Sequence, residues 1–294
     1  MTQFRNWQDL LKHLWIEGIA NLTPLNYEQF IKDTDSDLKR VFFEDKSGPS
    51  KVRPSGGVTC PRQVYYLLND EPRKGFPKGI EATFAMGHLV HNLSYAALNS
   101  VKPPGIEFLY ETQVDTGFPI GKHYNPKGTI DLICHIADYD EMDDLLPHDV
   151  PRSIIGDFKT MAGFAFKNHV RKDFSTCGEP DPWGYLKQLA IYANSPSLEE
   201  KFPDIAEAGA LLIGINKESP MQGLSPRLVM PEVLAEHYIE VEEALAVTKD
   251  VDPGPVMVDK HGVQKVAFYC GASGRKGYCP YVTQCQTSRR KKSY

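Results

Sequence analysis

Apolar residues recur at helical spacing from the start of the chain. Leu10, Leu11, Leu14 and Trp15, then Phe30 and Ile31, predict helix over residues 1–45. The segment "DKSGPSKVRPSGG" (45–57) breaks this pattern with Gly, Pro and Ser and predicts a loop. "CPRQVYYLL" (60–68) then predicts a helix with Val64, Leu67 and Leu68 on one stripe, and Pro61 is tolerated in its first turn because that N–H would be orphaned anyway. Residues 79–99 predict a second helix, of about five turns.

After "KPPG" the period drops to two. "FLYETQVDT", "KGTIDLICHI" (127–136) and "RSIIGDFKT" (152–160) alternate as strands do. A helix over 182–195, a strand over 208–217 and a helix over 231–249 follow, and "DVDPGP" ends the last. The order predicts an α/β core behind a helical N-terminal part, with no internal repeat. Three segments are expected: a helical extension and loop (1–54), a core with a helical insert (55–265), and a cysteine-bearing C-terminal region with a basic tail (266–294).

Composition narrows the class only slightly. With 41% hydrophobic and 24% charged residues, the chain is ordinary globular material. No apolar run reaches the ~20 residues of a membrane helix. The N-terminus has no basic stretch leading into an apolar core, so a cytoplasmic location is expected. The net charge of −5 does not by itself point to nucleic acid, but "DYDEMDD" and "RRKK" show how unevenly charge is spread. No G-x-x-x-x-G-K-[ST] loop is present, so no ATP-driven motor is expected.

The strands carry the candidate chemistry. In "GTIDLICHI", alternation puts Ile130, Leu132, Cys134 and Ile136 on one face and Asp131 on the other. In "IIGDFKT", Asp157 and Lys159 are two apart and emerge together. Two carboxylates on neighbouring strands suit a hard divalent cation such as Mg²⁺ or Mn²⁺, and a lysine beside them suits orienting a water or offsetting negative charge. A solvated strand edge explains Asp157 and Lys159 about as well when they are taken alone. His91, on the 79–99 helix with Gly87 one turn earlier, is a third metal ligand or a structural histidine; His88 faces another side of that helix. Tyr185, Gln188 and Tyr192 form a polar-tipped stripe, read either as buried packing or as support for the site.

"GHLVH", "GTID", "GDFKT" and "YLKQLAIY" occur in that order, and together they resemble the RecB-like branch of the PD-(D/E)XK nuclease superfamily over about residues 55–285. The matching positions are Gly87 and His91, Gly128 and Asp131, Asp157 to Thr160, and Gln188 and Tyr192. The resemblance implies a restriction-endonuclease-like core, a mixed central sheet flanked by helices. It also implies a metal bound by His91, Asp131, Asp157 and the Phe158 carbonyl, Lys159 as catalytic lysine, and Gln188 and Tyr192 in support.

Cys60 ahead of the motifs, with Cys270, Cys279 and Cys285 behind them, further resembles Cas4 and AddB-type nucleases, in which four such thiolates hold a [4Fe–4S] cluster. Eight residues separate Cys270 from Cys279 where that group usually has two, which leaves open a looped-out insert or Zn²⁺ instead. Cys134 reads as core and Cys177 as a loop thiol.

The resemblance implies a Mg²⁺- or Mn²⁺-dependent DNA exonuclease acting at DNA ends, single-stranded ones included, of the kind found in CRISPR loci, viruses and phages. Arg62, Tyr65, Tyr66 and Tyr185 are candidates for contact with the strand, with packing as the alternative for the tyrosines. Two other readings stand beside it. One is an end-processing or endonuclease subunit of a larger CRISPR-adaptation or recombination assembly, docked through the N-terminal helices. The other is a non-catalytic, zinc-bearing DNA-binding protein.

Overall fold

The chain was analysed as a computed structural model, which describes residues 3–43, 54, 61–69, 71, 79–117, 127–142, 145–163, 166–167, 184–219, 223–246 and 250–251. The N-terminal stretch expected to be helical holds two helices, α1 (Trp7–Ala20) and α2 (Pro24–Phe43). Asn6 caps the first by accepting from the Asp9 amide, and Pro24 opens the second, where no backbone donor is needed. Next come α3 (Pro61–Leu68) and α4 (Ile80–Ser100), then strands β1 (Ile106–Asp115), β2 (Lys127–Ile136) and β3 (Ser153–Met161). The remaining elements are α5 (Tyr185–Ala193), the single turn α6 (Pro196–Glu199), β4 (Ala210–Asn216), β5 (Ser225–Val229) and α7 (Pro231–Leu245).

The strands form one mixed sheet in the order β1-β2-β3-β4-β5. β1, β2 and β3 are an antiparallel meander, β4 runs parallel to β3, and β5 returns antiparallel on β4. A parallel neighbour needs a crossover, and the chain between β3 and β4 supplies it with α5. The sequence pattern missed β5, "SPRLV". It is short and contains Pro226, which is tolerated because β5 ends the sheet order among the described residues.

Alternation along β3 and β4 builds two cores, one on each face. Ile155 and Leu212 face a set completed by α3, α5 and α7, including Val64, Leu189 and Leu234. Ile154, Phe158, Leu211 and Ile213 face a set completed by α1 and α4, including Trp7, Leu11, Val90 and Leu98. Gly18 is where α1 crosses α4: a Cβ there would overlap the Ala97 carbonyl. Two indole N–H groups tie α1 down, Trp7 donating to the Pro151 carbonyl at 2.9 Å and Trp15 to Ser94 Oγ at 3.2 Å. The first helix is thus part of the core, and α2 packs outside it on α4. No helix among the described residues is long and apolar enough to cross a membrane.

Candidate functional site

The site forms where β2 and β3 part. Their ladder runs from His135↔Ser153 to Leu132↔Gly156 and stops there. The next amide of β3 that points toward β2 belongs to Phe158, and a carboxylate replaces the missing carbonyl: Asp131 Oδ2 accepts from Phe158 N at 2.8 Å. A buried amide needs an acceptor, so the bond holds the Asp131 head group in the gap between the strands.

β2 does not keep the single facing that alternation predicts. Leu132, Cys134 and Ile136 join the α1–α4 core, but Ile130 joins the other. The shift falls beside Glu111, which lies on β1 between the register pairs Tyr110↔Leu132 and Thr112↔Ile130 and so stands across from Asp131. Glu111 has φ +47°, a left-handed conformation that costs a non-glycine residue about 1–2 kcal/mol. Two carboxylates facing each other across paired strands also repel.

His91 reaches the gap from α4. Its Nε2 lies 3.1 Å from the Phe158 carbonyl oxygen. That oxygen can only accept, so Nε2 carries the proton and Nδ1 presents its lone pair, 3.9 Å from Asp131 Oδ2. Burial, then the charge of Lys159, pull the imidazole down to about 4, so it is neutral at neutral pH. Burial pushes Asp131 up to about 6, with Lys159 opposing. One ligand atom each from His91, Glu111 and Asp131 lie within 4.8 Å of one another. A neutral imidazole and two carboxylates fit a Mg²⁺ or Mn²⁺ ion, whose charge would offset the repulsion and the strain at Glu111. Tyr95 Oη donates to Glu111 Oε1 at 2.8 Å and so steadies the third member of the trio.

Asp157 and Lys159 project on the α5 side of β3. Lys159 Nζ is 2.6 Å from Asp157 Oδ2. Burial opposes the Lys159 charge, but Asp157 and Asp131 outweigh it and lift the ammonium above the usual lysine range. Gln188 on α5 bridges the pair, donating to Asp157 Oδ1 at 3.0 Å and accepting from Lys159 at 3.2 Å. Its amide also lies 3.3 Å from Tyr192 Oη, and Lys159 Nζ sits 5.2 Å from the Tyr185 ring centre. Gly128 is shaped by the same helix: a Cβ there would come within 2.5 Å of Tyr192 Cε1. Gly87 differs, since a Cβ would meet only Thr160 Oγ1, at 3.8 Å.

The structure therefore brings His91, Asp131 and the Phe158 carbonyl together on one side of the gap, and Asp157, Lys159, Gln188 and Tyr192 on the other. Sequence reasoning missed Glu111, although its place across the hairpin from Asp131 was a usable signal. Of the other candidates, Arg62 and Tyr66 are buried, with Arg62 stacked 5.4 Å from the Tyr66 ring centre, and Tyr65 packs against the core. Cys134 is fully buried, and burial pushes its thiol up. Cys60, Cys177, Cys270, Cys279 and Cys285 lie outside the described residues. Comparison with known proteins finds no matching family model, no matching curated protein and no matching solved structure.

Proposed function

We propose that the chain is a Mg²⁺- or Mn²⁺-dependent deoxyribonuclease of the RecB-like PD-(D/E)XK kind, Cas4-like, acting at DNA ends. The observation that carries this is the meeting of His91, Glu111 and Asp131 at the split of β2 and β3, beside the Asp157–Lys159 pair. In this reading those three hold the cation, His91 through Nδ1, on the far side of the imidazole from the Phe158 carbonyl, while Asp157 pairs with Lys159. A divalent ion there supplies activation of water and charge stabilisation at the phosphate.

The chain's own groups do the rest. Phe158 fixes two ligands at once, its amide holding Asp131 and its carbonyl holding His91. Asp157 and Gln188 aim the Lys159 ammonium, a fixed positive charge for a phosphate oxygen as negative charge builds there. Hydrolysis adds water across one P–O bond, leaving a phosphate monoester on one fragment and a hydroxyl on the other. The [4Fe–4S] cluster at Cys60, Cys270, Cys279 and Cys285 is proposed on sequence pattern alone; iron and sulfide analysis of anaerobically purified protein checks it.

End-labelled linear DNA, incubated with Mn²⁺ or Mg²⁺, should be shortened from its ends. Asp131→Ala and Lys159→Ala should each lose at least ~100-fold in rate while melting as folded proteins. No cleavage by the wild-type protein with either ion, or near-normal cleavage by either variant, would overturn the assignment.

A further inference from the structure

A groove of about 490 Å³ runs between α2, α4 and β1, and it ends at the candidate metal centre because Glu111 lines both. Its chemistry does not suit a phosphate. Among the described lining residues Asp33, Asp37 and Glu111 are acidic, and the one base, Arg40, is held by Asp37 at 2.8 Å. With Asp37 and Arg40 cancelling each other, Asp33 and Glu111 leave the groove two negative groups, which repel an anion.

What the groove offers instead is amides and rings. Asn26, Gln29, Asn92 and Asn99 line it; they bond within the protein to Ser100, Asp33, Asp37 and Tyr110 in turn, and an amide has further donors and acceptors of the kind that match base edges and sugar hydroxyls. Tyr95 and Tyr110 form an aromatic wall with ring centres 4.4 Å apart, backed by the buried Phe158 ring, 5.8 Å from Tyr95. Aromatic side chains stack on any base, whatever its identity. Tyr95 also holds Glu111, so the wall and the trio are one structure.

We propose that this groove binds the terminal nucleoside of a DNA strand, selecting an end that carries a hydroxyl over one that carries a phosphate, and so sets the first phosphodiester against the metal centre. The proposal rests on the nuclease reading for its catalytic consequence, but binding in the groove is independent of cleavage. A terminal phosphate adds up to two negative charges beside the carboxylates.

The test uses short fluorescent oligothymidylates with a hydroxyl or a phosphate at the 5′ or the 3′ end in turn. Binding to the full chain is read by anisotropy in metal-free buffer, and cleavage of the same strands is read with Mn²⁺. The hydroxyl end should bind about tenfold more tightly at one of the two termini, as expected for like charges a few ångströms apart at the protein surface. Asp33→Arg should abolish that ratio. Asp35→Arg, on the same helix but outside the groove, adds the same charge and should leave the ratio intact. Equal binding, a preference for phosphate, no binding of either strand, or loss of the ratio in Asp35→Arg would overturn the groove. Hydroxyl-selective binding without any cleavage would overturn the nuclease reading and leave the groove standing. Cleavage indifferent to the end group, with equal binding, would do the reverse.

Discussion

Glu111 is the residue on which the candidate metal centre turns. It adopts a backbone conformation that costs energy, faces another carboxylate across the hairpin, and is held by Tyr95. Removing its charge should be expensive for function and cheap for stability. Glu111→Gln should weaken Mn²⁺ binding by at least ~10-fold and slow cleavage by ~100-fold, with little change in melting temperature. Calorimetric titration with Mn²⁺ reads the first and a cleavage assay the second. Asp131 adds a pH dependence. Burial raises it from 3.8 to about 6, so in the metal-free protein its contribution to stability is full below the lower value and is lost as pH rises through the higher one. A cation needs the ionised form. The gain in melting temperature from Mn²⁺ should therefore be small near pH ~5 and larger near pH ~7.5. A gain that shrank with rising pH would contradict the ligand set.

At the scale of elements, the two glycines of the sequence motifs have opposite meanings. Gly128 on β2 leaves room for the Tyr192 ring of α5, whereas among the described residues a Cβ at Gly87 on α4 would meet only Thr160, without crowding it. Gly128→Ala should destabilise by about 1–3 kcal/mol and displace Tyr192 from Gln188, lowering activity as well. Gly87→Ala should be neutral or stabilise by up to ~1 kcal/mol, as alanine does within a helix. Chemical denaturation of both variants separates the two cases, and a destabilised Gly87→Ala would show that α4 is packed more tightly there than its geometry allows.

The elements also show what was legible in the sequence. β2 falls at its predicted bounds, and β3, β4, α3 and α4 within two residues of theirs, because period and breakers mark them plainly. β5 escaped because five residues with a proline leave no periodic signal. The facing of Asp131 escaped because the shift in β2 falls opposite Glu111, a neighbour only in space. Pairing across a hairpin, rather than spacing along it, decides which carboxylates meet.

At the scale of the molecule, the site is a seam held from both faces of the sheet. α4 delivers His91 from one core, α5 delivers Gln188 from the other, and β2 and β3 between them carry the acids. α1 sits under α4, so the N-terminal helices that looked like an appendage bear on the site indirectly. Leu11→Ala, which empties a fully buried position between them, should cost about 2–5 kcal/mol, measured by denaturant unfolding. Its metal affinity should be unchanged at temperatures where the variant is folded, since no ligand is touched.

The nuclease reading requires a divalent cation in the gap between β2 and β3. Crystals of the protein soaked in Mn²⁺ and recorded at the manganese absorption edge locate such an ion without reference to activity. An anomalous peak bounded by His91 Nδ1 and the carboxylates of Glu111 and Asp131 is expected. A well-ordered site with no peak there, or with manganese bound only elsewhere, would contradict it.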